Sequence, residues 1–227
     1  MSYSFFIFFL FFVELVFLFF LSKSLTSSLA SLFYKFTKSK GATVNLLAIL
    51  FLPGTIIHEL SHLLMASLLL VPVGDIEVFP QIEGDEVKLG SVKVGQTDIL
   101  RRSLIGVAPI LVGLTILFCV LALTQNTFWD SSLIIKGALF YLVFQITNNM
   151  FSSSKDMEGV ILFFGSLVFL LTLLIVVSYL LGFTQQLQVL GWILNPQIVN
   201  LFLKADTYLV LPILIDLAVI SVYKIFT

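Results

Sequence analysis

The chain has 227 residues, of which 59% are hydrophobic and 11% charged, against about 25% charged in an ordinary soluble domain. Its mean hydropathy of +1.11 comes from long apolar runs, so a water-soluble fold would lack the polar surface to cover itself. Twelve Lys and Arg against thirteen Asp and Glu leave a formal net charge of −1, which supplies no basic field for nucleic acid, and the lone Cys119 excludes an intrachain disulfide or a thiolate metal cluster.

Crossing a hydrocarbon core takes about 20 helical residues, and apolar stretches of that order occur near 5–21, 44–72, 102–124, 134–151, 159–182 and 206–225. These predict an all-α, multi-pass integral membrane protein with six transmembrane helices in the lipid bilayer. The first run has no basic leader and exceeds the roughly 7 to 15 apolar residues of a signal peptide, so it is expected to stay as an anchor. Residues 22–43 are rich in Ser and Lys, with Leu25, Leu29, Leu32, Phe33 and Phe36 at helical spacing. They predict a short interfacial connector, giving an amino-terminal unit over 1–43.

A membrane core is expected over 44–182. Inside it, residues 74–98 change period: Ile76, Val78, Val87, Leu89, Val92 and Val94 alternate with polar residues, and Gly84, Gly90 and Gly95 supply turns. That pattern predicts a small β-hairpin or sheet between the second and third spans. The remainder, 183–227, is expected to hold a re-entrant or interfacial segment around 191–196 and the last span. Basic residues divide six and six between the two membrane faces, so the positive-inside rule selects no orientation.

The only two histidines belong to His58-Glu59-Leu60-Ser61-His62, in the middle of the second apolar span. On a helix their rings project about 40° apart and one turn apart, which lets both reach a single tetrahedral zinc. Glu59 lies about 100° round from His58, placed to engage an attacking water. Each ionisable group at the centre of a membrane helix costs roughly 2.5 to 3.5 kcal/mol, so three together point to a functional site, with a buried polar network lacking metal as the alternative.

A catalytic zinc takes three protein ligands, and an acid from another helix is therefore required. Asp156 ends a stripe of Gln145, Asn148, Asn149, Ser152 and Asp156 that lies within about 100° of arc. Thr55, His58, Glu59 and His62 form a comparable stripe on the second span. With one helix between them, the second and fourth spans run in the same direction, so the polar ends can meet. Glu158, Asp75 and Glu77 remain rival third ligands.

These residues resemble the site-2 protease family of intramembrane zinc metalloproteases. The segment 58–62 looks like that family's zinc motif, and Gly106-Val107-Ala108-Pro109 resembles the small-residue and proline segment of its next core helix. Asn148 followed by Asp156 is similar in spacing to the Asn and Asp of the second zinc motif, although serines stand in place of that motif's prolines and Met157 in place of its glycine. The resemblance covers about 46–165, with no PDZ-type domain. It implies one Zn²⁺ per chain held by His58, His62 and Asp156, and transmembrane protein substrates. Glu59 would act as general base and then acid, and Asn148, or Asn149, would hydrogen-bond the substrate backbone or the oxyanion.

An unwound substrate segment needs partners for its backbone groups, which an exposed strand edge of the hairpin would supply; a simple surface hairpin is the alternative. Pro53 and Gly54 read either as a functional kink or as ordinary helix irregularity, and Gly106, Pro109 and Gly113 as a close-packing face. The intramembrane acids Glu14 and Asp216 stand outside the expected site. A metal-ion transporter using the same His and acid groups is the competing function, but no repeated or inverted halves are visible in the sequence.

Overall fold

A computed structural model describes residues 2–77, 81–83, 86–88, 90–124, 131–151 and 195–226, with several helical positions between 165 and 177. In chain order these contain α1 (Ser2–Thr37), α2 (Lys40–Leu68), β1 (Val73–Glu77), β2 (Gln81–Glu83), β3 (Glu86–Lys88), β4 (Ser91–Val94), α3 (Ile99–Thr124), α4 (Leu133–Asn149) and α5 (Pro196–Phe226). Four helices, α1, α2, α3 and α5, are long and apolar enough to cross a membrane, and α4 adds 17 residues. The expected span at 159–182 lies largely outside the described residues.

α1 continues without a break through the stretch expected to form a separate connector. Its Ser and Thr residues do not interrupt it because their hydroxyls bond carbonyls one turn back: Ser22 to Phe19, Thr26 to Ser22, Ser27 to Ser24 and Ser31 to Ser27. Its 36 residues measure about 54 Å, well beyond the roughly 30 Å of hydrocarbon. The chain turns at Lys38, and Ser39 caps α2 by accepting the Ala42 N–H.

α5 begins at Pro196, ten residues before the expected last span, and takes in part of the stretch expected to be irregular. Asn195 is its cap, accepting the Gln197 N–H on Oδ1 at 2.9 Å, and Pro196 sits at the first helical position, where its missing N–H costs nothing. α5 packs along α1 in the same direction. Phe202 meets Phe8 and Phe11 edge-on at centroid distances of 4.7 and 4.9 Å, and Leu18 shares a core with Ala205 and Leu209. That sense is opposite to the one expected of a sixth alternating span.

The β insertion is a nested hairpin. β1 pairs antiparallel with β4 through Val73–Val94, Ile76–Val92 and Glu77–Ser91, and β2 pairs with β3 further out. Its base is closed by the Gly95 N–H on Pro72 O at 2.9 Å and anchored by a small core of Ala66, Val71 and Ile105. The next helix is capped by Asp98, whose Oδ1 accepts the Arg101 N–H at 2.9 Å. That hydrogen bond, with the Arg101 charge, holds the Asp98 carboxyl below its ordinary pKa.

Candidate metal centre

α2 and α4 lie side by side in parallel register. Leu50 O accepts from Tyr141 Oη at 2.9 Å and from Gln145 Nε2 at 2.7 Å. One turn on, the Gly54 N–H donates to Gln145 Oε1 at 3.3 Å, and one turn further His58 Nδ1 meets Asn149 O at 2.7 Å. The Gln145 amide therefore braces the rung next to Pro53, where the helix has lost a donor. Gly54 lets the backbones touch: a Cβ there would fall inside the Asn149 amide and 2.7 Å from Gln145 O. α2 stays one helix through Pro53, so this pair serves helix contact.

The two imidazoles are held from behind. His58 Nδ1 is bound to Asn149 O at 2.7 Å and His62 Nδ1 to Ile105 O at 2.9 Å. A carbonyl can only accept, so each Nδ1 carries a proton and Nε2 is the atom each ring presents to its partner. Those two Nε2 atoms face each other at 3.1 Å. Two imidazole nitrogens on one tetrahedral zinc stand about 3.3 Å apart, so the pair fits such an ion with little adjustment. His58, Glu59 and His62 are all buried, at 3%, 6% and 7% exposure.

Glu59 is covered by the β insertion. A Cβ on Gly90, just before β4, would lie 2.8 Å from Thr55 Cγ2 and 3.0 Å from Glu59 Oε1. The loop backbone thus rests on the carboxylate, at a place where any side chain would push it aside. In Gly90→Ala the added methyl should push the loop off Thr55 and Glu59, and overpacking of this kind costs about 1 to 3 kcal/mol of stability. Thermal unfolding checks this, and an unchanged midpoint would show that the loop does not rest on Glu59.

Asn148 and Asn149 divide their tasks. The Asn149 side chain points back to Gln145, donating to its carbonyl at 2.8 Å, so what it gives the site is its backbone oxygen. Asn148 Nδ2 donates to Phe144 O at 3.2 Å and to Asp216 Oδ1 on α5 at 3.3 Å. With both amide hydrogens engaged, its Oδ1 is left buried without a partner among the described residues, as is Asp216 Oδ2. Asn148 is therefore set to accept a backbone N–H, and in this pose it has no donor for an oxyanion. Gln145 lay on the predicted stripe without an assigned role, whereas Asp216, noted in the sequence only as an intramembrane acid, proves to be a partner of Asn148.

Asp156 and its rival Glu158 lie outside the described residues. Of the other rivals, Asp75 is exposed, and Glu77 meets Lys93 at 3.9 Å and Ser91 at 3.5 Å within the hairpin. Among the described residues no group of three or more His, Cys, Asp or Glu side chains is gathered closely enough to hold a metal. Comparison with protein-family models, curated proteins and solved structures finds no match. The chemistry of the site thus rests on its own geometry.

Proposed function

We propose that this protein is an intramembrane zinc endopeptidase of the site-2 protease type, cleaving peptide bonds within the transmembrane segments of other membrane proteins. The observation that carries the reading is the convergence of two Nδ1-anchored imidazoles on one point, with their Nε2 atoms 3.1 Å apart. Two ring nitrogens at that distance need a positive charge between them, a shared proton or a metal ion, and the spacing suits a tetrahedral zinc. His58 and His62 are two of the ligands in this reading, and Asp156 is the third. Zinc bound there would polarise the substrate carbonyl and acidify a water.

The rest belongs to the chain. Glu59, one residue from His58 and buried beneath Gly90, takes a proton from the attacking water and returns it to the leaving amine. Asn148 Oδ1 receives a backbone N–H released when the substrate helix unwinds, since such a group has no water to turn to inside the bilayer. The flanking hairpin offers its strand edge to the same unwound segment. A membrane core at 44–182 completes the proposal.

The test is to purify the protein, count its zinc, and reconstitute it with single-span substrates in liposomes. One zinc per chain with cleavage inside the span is expected, and Asp156→Ala should lower zinc occupancy. Zinc movement across the vesicle without cleavage would identify a transporter instead, and a protein that binds no zinc would leave the histidines sharing a proton.

A further inference from the structure

The two anchoring carbonyls are available for different reasons. Asn149 ends α4, and the last carbonyls of any helix have no amide one turn ahead. Ile105 lies inside α3 as its seventh residue, where a carbonyl is ordinarily taken by the N–H four residues on. That residue is Pro109. Proline has no N–H, and its ring pushes against the carbonyl four residues back, tilting it away from the helix axis. Ile105 O is thus released from the ladder at the level where His62 Nδ1 meets it at 2.9 Å. Pro109 itself is buried beside His58 in the lining of a small void.

We infer that Pro109 is a positioning residue for the metal centre: by withholding one amide hydrogen it dedicates the Ile105 carbonyl to His62, fixing that ring with Nε2 toward His58. This rests on the reading of the histidine pair as zinc ligands. The arrangement needs no polar side chain behind His62 in the bilayer. The usual carboxylate partner of a zinc-bound histidine is replaced by a backbone oxygen that a neighbouring helix could not otherwise spare.

The experiment measures zinc affinity by chelator competition on the purified full-length protein, independent of any protease assay. Pro109→Ala restores the helical N–H and is expected to weaken zinc by about tenfold, the lower end of what loss of a supporting hydrogen bond costs a metal site. The decisive arm repeats Pro109→Ala in two backgrounds. In His62→Cys the ligand has no second nitrogen to anchor, so adding Pro109→Ala should change affinity by less than about twofold. In His58→Cys the full loss should persist, because His62 is still present.

Equal affinity of Pro109→Ala and wild type overturns the inference, as does a loss of the same size in both Cys backgrounds, which would mark a general distortion of α3. A wild-type protein that binds no zinc would bring down the reading of the site and this inference together. Should Pro109→Ala fail to fold, nitrogen NMR of histidine-labelled wild type decides: protonation of His62 at Nδ1 is expected, and protonation at Nε2 overturns it.

Discussion

Glu59→Gln should hold zinc as tightly as the wild type and cleave about a hundred- to ten-thousandfold more slowly, the range a single general acid–base group supplies. The substitution keeps the shape of a side chain packed beneath the backbone of Gly90, so folding and metal binding are separated from proton transfer. Zinc analysis and single-turnover cleavage of a span peptide in liposomes read the two properties on one sample. Retained cleavage would assign the base elsewhere, whereas loss of zinc along with cleavage would mean that Glu59 supports the metal.

Gly54→Ala is expected to be damaging even though alanine is the better helix former. A methyl group there overlaps the Asn149 amide and lies 2.7 Å from Gln145 O, so α2 and α4 must part. Overpacking of this sort costs about 1 to 3 kcal/mol. Parting the helices also draws Asn149 O away from His58 Nδ1, so zinc affinity should fall roughly ten- to a hundredfold together with the thermal midpoint. Gly137→Ala on α4 is the control: a Cβ there meets nothing within 4 Å, and helix propensity predicts a gain of about 0.5 to 1 kcal/mol. If Gly54→Ala behaves like Gly137→Ala, the two helices do not touch at that rung.

Much of this arrangement was legible because the membrane makes polar residues informative. His58, Glu59 and His62 stand out in an apolar span, and Gln145 and Asn149 mark the face of α4 that α2 meets, while Asn148 of the same stripe turns to α5. The parallel course of those two helices also follows from having one helix between them. Backbone roles were harder to read. A carbonyl has no letter in the sequence, so Asn149 was marked for a side chain that in fact turns back to Gln145, and Pro109 for packing alone.

A sharper rule was available, because a proline four residues after a helical carbonyl always advertises a spare acceptor. Asn195-Pro196 likewise spells a cap and a first turn, yet the last span was expected only from 206, ten residues after α5 begins. The pairing of Asp216 with Asn148 joins positions 68 apart in the chain, and no local pattern encodes it.

The burial of the histidine pair bears on how the protein works in a cell. Beside His58 there is a void of only about 10 Å³, room for one water molecule, while the hairpin backbone covers Glu59 and the contact at Gly54 closes the seam between α2 and α4. A polypeptide does not fit such a space, so under the proposed function a covering element would have to lift before a bond is cut, and the seam held by direct backbone contact is the worst place to pry. A protease built this way would rest idle by default. Its pace would be set by how often the covering strand yields, a property that would suit a cutter surrounded by helices it must leave alone.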